Sequence, residues 1–230
     1  MRLTVSLNKG IEVVIPQAMP QVQANKMIPG FILKQQHWIN TTLQKLQSQQ
    51  NHKALLRECQ LPETIFIKAA GKEIRVVYEK LEIDKLLLRV HNPATIMISG
   101  ALNDRYHVFK LLEQHFKNHA YGFLQKRLSQ MSEQTGLIYN RLTVRAQKTR
   151  WGSCSAKKNI NLNYRLLFVD IQLLDYILLH ELVHTVHLNH SRNFWRLVEQ
   201  FMPDYKHRDK QISQVRKELP CWIFYKELMQ

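Results

Sequence analysis

In the segment DYILLHELVHTVHLNHSRNFW, residues 175–195, His180 and His184 stand four apart and Glu181 directly follows the first of them. On an α-helix residues four apart share a face, so both imidazoles can reach one Zn²⁺ at about 2.0–2.1 Å. Glu181, about 100° further round, can address the open side of the metal. A helix alone cannot complete such a site, because a third ligand must approach from off its axis. His187 lies on the same face, but a rise of about 1.5 Å per residue puts it roughly 10 Å from His180 along the axis. His190 comes after Leu188-Asn189, and Asn tolerates the left-handed conformation that turns a chain at a helix end. The expected ligands are therefore His180, His184 and His190. Three protein ligands leave the fourth position of zinc to water, which the metal acidifies and Glu181 deprotonates as general base. The competing reading makes these histidines hydrogen-bonded core residues.

The elements that must position this group follow from pattern and punctuation. MRLTVSL and IEVVIP read as a hairpin around Asn8-Lys9-Gly10, and ETIFIKAAGKEIRVVYEKLEIDKLLLRV and TIMISG read as further strands, with turns at Ala70-Gly71 and near Asp84. Between them, Lys34 to Cys59 is rich in straight-chain helix formers. From about Asn103 the character becomes helical. Asn103 or Asp104 caps a segment running through Val108, Leu112, Phe116, Leu124 and Leu128 to a stop near Gly136. YNRLTVRAQ and NINLNYRLLFV then read as a strand hairpin joined by the turn-rich RWGSCSAKKN. Helices are expected from about Asp170 to His187 and from Ser191 to Phe201, where Met202-Pro203 ends the pattern. This gives an α+β chain with an N-terminal β-rich lobe, 1–102, carrying a helical insert, and a catalytic domain, 103–230.

Composition bounds the partners. Lys and Arg number 33 against 18 Asp and Glu, a formal charge of +15, so polyanions such as nucleotides or nucleic acids can be attracted to a basic surface. Cys59, Cys154 and Cys221 are odd in number and far apart, which argues against a disulfide framework and for a reducing, cytoplasmic setting. No secretory leader pattern or membrane-length apolar run is evident.

RWGSCSAKKNINLN, DYILLHELVH and NHSRNFW, in this order and spacing, closely resemble the YgjP-like metallopeptidase family, with SprT-like and WLM proteases as more distant relatives. The resemblance implies a minimal zincin fold in which a small sheet lies over the H-E-x-x-H helix. NINLNYRLLFV would be its edge strand along the cleft, open to an extended peptide by β-augmentation. In Arg150-Trp151-Gly152-Ser153-Cys154, the second signature, Gly152 suits a tight turn or a close backbone approach, Trp151 a buried anchor and Cys154 core packing. Phe194 and Trp195 read as packing that fixes the His190 loop, with Ser191 as N-cap. Tyr164, Tyr205, His207 and Arg208 are each able to stabilise an oxyanion.

The resemblance implies a zinc metallopeptidase in which zinc-bound water, activated by Glu181, attacks a peptide carbonyl of a peptide or protein substrate. Two other readings keep the same residues. One is a metal-dependent phosphohydrolase acting on nucleotides, although no Gly-rich phosphate loop is present. The other is a protease brought to nucleic acid by basic stretches such as Arg141 to Arg150 and Lys206 to Lys217.

Overall fold

The computed structural model describes residues 1–6, 10–17 and 19–227, without the side chains of 48–57 and 227. Two compact units result, one built on residues 1–59 and one on residues 60–226.

In the first unit, β1 (Arg2–Ser6) and β2 (Gly10–Val14) pair antiparallel, Arg2 opposite Val14 and Ser6 opposite Gly10. This is the expected hairpin; its turn residues Asn8 and Lys9 lie outside the described residues. Two helices follow, α1 (Gln21–Lys34) and α2 (Gln36–Arg57). Helix therefore begins earlier than the expected Lys34 and runs through Pro29-Gly30, a pair that reads as a break. Proline removes one intrahelical bond, which the surrounding helix formers can carry.

The second unit opens with a four-stranded sheet. Its strands are β3 (Thr64–Ile67), β4 (Lys72–Lys80), β5 (Leu87–Asn92) and β6 (Thr95–Gly100), in the order β3-β4-β6-β5. The β4–β6 pair is parallel and the other two are antiparallel. Period-two alternation turns Ile65, Ile67, Ile74, Val76, Ile96 and Ile98 into the core. The turn expected at Ala70-Gly71 is present, with Gly71 left-handed at φ 58°.

The long helix α3 (Arg105–Thr135) is capped by the Asp104 carboxylate, which accepts from the backbone N–H of Tyr106 and His107. It stops at Gly136, left-handed at φ 71°. Val108, Leu112, Phe116, Ala120, Leu124 and Leu128, four residues apart, form its buried stripe.

The next sheet departs from expectation. β7 (Arg141–Arg145) and β9 (Asn159–Asn163) are not a hairpin; they run parallel and adjacent. The turn-rich segment between them supplies a third strand, β8 (Gly152–Cys154), antiparallel to the other side of β9. A parallel pair needs a long crossover, and residues 146–158, which include β8, provide it. The buried Asn163 amide pins that crossover by donating to the carbonyls of Gln147 and Arg150, both at 2.8 Å. Residues 164–168 are a 3₁₀ segment rather than a continuation of the strand.

Three helices complete the unit: α4 (Ile171–Val183), α5 (Arg192–Phe201) and α6 (Tyr205–Gln214), followed by 3₁₀ segments at 215–218 and 221–227. α4 is buried on nearly every side, and the fork of Arg127 on α3 grips the Asp175 carboxylate at 2.7 and 2.6 Å. Asp175 is thus a mid-helix anchor, and the N-cap position falls to Asp170, whose side chain makes no capping bond.

The chain is an α+β protein. Among the described residues no helix is long and apolar enough to cross a membrane. Cys154 is free.

Candidate metal centre

Leu174, Leu178, Leu182 and Val183 hold α4 in the core, which fixes the direction in which His180 and His184 emerge. The α-helix ends at Val183, and His184 sits at its C-cap with helical φ and ψ. The chain then turns through Thr185, whose hydroxyl donates to the Leu182 carbonyl at 2.7 Å, and the amide of His187 donates to Val183. Lys158 is the one non-glycine residue with positive φ among those described. The return to His190 therefore uses a run of tight turns and not the left-handed Asn189 that was expected.

The three Nε2 atoms of His180, His184 and His190 converge, at 3.2 Å for His180–His184, 3.2 Å for His184–His190 and 3.0 Å for His180–His190. Ligands about 2.0–2.1 Å from a tetrahedral ion stand about 3.3 Å apart, so the donor set fits one zinc-sized ion. The tautomer of His184 fits as well. His184 Nδ1 lies 2.9 Å from the His187 carbonyl, to which it can only donate, leaving the lone pair on Nε2. The contribution of His187 is thus its backbone oxygen. Burial above all, then the neighbouring His184 and His190, pushes His180 down to about 3. Burial likewise lowers His184, against the opposing bond to His187. Neutral imidazoles are what a cation requires.

Aromatic rings wall this cluster. Phe194, fully buried on α5, lies with its ring centre 4.9, 4.5 and 4.9 Å from those of His180, His184 and His190. Trp195 stacks on His190 and is backed in turn by Tyr205. Both aromatic residues after the loop serve as the packing expected of them; Ser191 takes the N-cap position without a side-chain bond. Tyr176, one turn before His180, packs edge-on against its ring and donates its hydroxyl to Asp209 on α6 at 2.7 Å. Nothing in the local sequence pairs Tyr176 with Asp209, which the chain brings together across 33 positions.

Glu181 faces the sheet. It is 5% exposed, and its Oε2 is buried with no hydrogen-bond partner among the described residues. Gly152 of β8 lies directly against it: a Cβ there would stand 2.6 Å from Glu181 Oε1 and 2.7 Å from Cγ. The close-approach role is the one Gly152 fulfils. It also follows that β8, paired on one side only, is the edge strand at the site, while NINLN, expected at the edge, is the central strand β9. Trp151 is half-buried and lines a cavity instead of anchoring the core. Burial, with the charge of Glu181, lifts the Cys154 thiol to about 11, so it is unreactive at neutral pH.

Of the four residues weighed for oxyanion binding, Tyr164 is wholly buried and Arg208 is committed to Asp204 and the Gln172 carbonyl. Tyr205 reaches the site through Trp195.

Burial raises Glu181 from an ordinary 4.5 to about 8, opposed by the charge of Arg150. Its proton is bound more tightly in the folded chain than in the unfolded one, so its contribution makes stability fall as pH rises from about 4.5 to about 8. His180 acts in the opposite sense, adding stability as pH rises from about 3 to 6.5, and then contributes nothing more. For chelator-treated protein the denaturation midpoint should therefore decline between pH 6.5 and 8, and Glu181→Gln should flatten that decline. An unchanged slope in the variant would show that Glu181 is not the group responsible.

The family description "YgjP-like, metallopeptidase domain" matches residues 1–214. The chain belongs to the YgjP-like metallopeptidase family. As a member it is a metallopeptidase-like hydrolase with a metal cofactor. Among solved structures it is similar to the metallopeptidase zymogen abylysin of Pyrococcus abyssi, at 27% identity and TM-score 0.37, over 40% of this chain and 92% of abylysin. It is also similar to the zymogen jannalysin of Methanocaldococcus jannaschii, at 22% identity and TM-score 0.36, over 40% of this chain and 94% of jannalysin. No curated protein matches the chain.

Proposed function

We propose that this YgjP-like protein is a zinc peptidase in which His180, His184 and His190 hold the ion and Glu181 is the general base. The reading is carried by the mutual approach of three imidazole Nε2 atoms to 3.0–3.2 Å. A zinc ion bound there would supply Lewis acidity, polarising the scissile carbonyl and making water acidic near neutral pH.

The rest falls to the chain's own side chains. The His184–His187 bond holds one ligand in its tautomer, and Phe194 and Trp195 keep solvent from the outer faces of the rings. Glu181 takes a proton from the attacking water at its carboxylate and returns it to the amide nitrogen that leaves. Arg150 favours the ionised form of this base. The open edge of β8, lying against Glu181, offers backbone groups with which an extended polypeptide can pair.

Metal content tests the ligand set before any substrate is chosen. The purified wild-type chain should carry about one zinc per molecule, and His180→Ala and His190→Ala should each lose most of it while keeping their far-UV circular dichroism. Full zinc content in either variant would remove that residue from the set.

A further inference from the structure

Beside the metal centre lies a second feature, a cavity of about 340 Å³ whose lining includes Lys148, Arg150, Arg165 and Arg216 against one carboxylate, Asp209. The carboxylate is already engaged by the Tyr176 hydroxyl. Arg165 is 6% exposed; its Nη2 donates to the Ile223 carbonyl at 3.1 Å, and its Nε is buried with no partner among the described residues. A guanidinium kept inside a protein with an unspent donor is costly unless something satisfies it. The wall around it is built. Phe224 lies under the guanidinium groups of both Arg165 and Arg216, at 4.9 and 5.0 Å, and Asn163 clamps the loop that carries Arg150.

The cavity adjoins the reacting centre on two sides. Trp151, in its lining, is followed directly by Gly152, which touches Glu181. Asp209, also in its lining, is bonded to Tyr176, whose ring meets His180. A peptide paired along β8 would therefore run next to residues of its lining.

We propose that this cavity is a specificity pocket for a carboxylate of the substrate peptide, taken up by the guanidinium groups of Arg150 and Arg165; the proposal rests on the peptidase reading. Arginine forks match a carboxylate in two parallel bonds. Ile212 and Leu219 in the lining suit the methylene stem of an acidic residue. An unmodified peptide carries carboxylates and no phosphate, so the peptidase reading selects a carboxylate as the anion. The carboxylate belongs to an acidic side chain or to a peptide C-terminus.

Blocked hexapeptides separate these cases, bound to the zinc-loaded full chain carrying Glu181→Gln so that none is cleaved. One pair differs only as Glu against Gln, and a second only as C-terminal acid against amide. One acid should bind about tenfold more tightly than its neutral twin at low salt, with the gap narrowing as salt rises. The pair that shows the gap identifies the source of the carboxylate. Arg150→Gln, at an exposed position, should erase most of the gap, and so should Arg165→Lys, which keeps the charge and loses the fork. Equal binding within both pairs, a gap that survives both variants, or displacement of the acidic peptide by a lower concentration of nucleoside triphosphate would each overturn the proposal. Peptide cleavage by the wild-type chain that ignores acids would also overturn it and leave the peptidase reading standing. Arginine-dependent acid binding by a chain that cleaves no peptide would support the pocket and overturn the peptidase.

Discussion

Glu181→Gln is expected to lower kcat for peptide cleavage by about 10²- to 10⁴-fold, the usual worth of a positioned general base, while zinc content stays at the wild-type level. The substitution keeps the shape of a side chain that is 5% exposed and packed against Gly152, so neither cavity nor clash arises. What disappears is the capacity to take a proton. KM should change little, because the base acts on the water and not on the substrate's binding contacts. The amide also avoids the cost of ionising in a buried place, so the variant should be no less stable than wild type at pH 8. Turnover within a few-fold of wild type, with zinc retained, would remove Glu181 from the mechanism.

Gly152→Ala should come close to this loss without touching a metal ligand or the base itself. A methyl group at 152 would stand 2.6–2.8 Å from Oε1, Cγ and Cδ of Glu181, well inside contact distance. The φ of Gly152 is not among the positive ones, so an alanine there is not strained in its backbone. The side chain that can give way is Glu181, and displacing its carboxylate by about 1 Å costs on the order of 100-fold in rate. Zinc content and unfolding midpoint should stay near wild type, since the clash falls on the Glu181 side chain and not on the sheet. A variant that turns over normally would mean that Glu181 works from another rotamer.

These two residues also mark where reading the chain by itself stops. His180, Glu181 and His184 could be placed on one helix because helical periodicity is local: the few backbone torsions between the ligands settle their direction whatever the rest of the fold does. The cap at Asp104, the stop at Gly136 and the alternating strands β3 to β6 were legible for the same reason, each depending on a few neighbouring residues. The family resemblance, carried by RWGSC and HELVH, pointed to the metallopeptidase class.

Other features depended on partners far along the chain. The sequence could not tell that β7 and β9 run parallel, because pairing direction depends on the crossover between them and on the Asn163 amide that holds it. Consequently the edge strand was assigned to the wrong segment, and RWGSC, which reads as a turn, became the strand over the base. The proline in α1 hid a helix whose neighbours could sustain it. Asn189 was given a left-handed role that hydrogen-bonded turns at 185–187 make unnecessary. The packing of Gly152 on Glu181, the Tyr176–Asp209 bond and the buried Arg165 beside its cavity join residues that the chain separates by 29 to 58 positions. The sequence by itself determined which side chains could do the chemistry and the helix that aligns two of them. Tertiary structure alone decided what presses on the base and what charge lies beside it, because contacts between distant segments arise from packing and strand pairing, which no local pattern encodes.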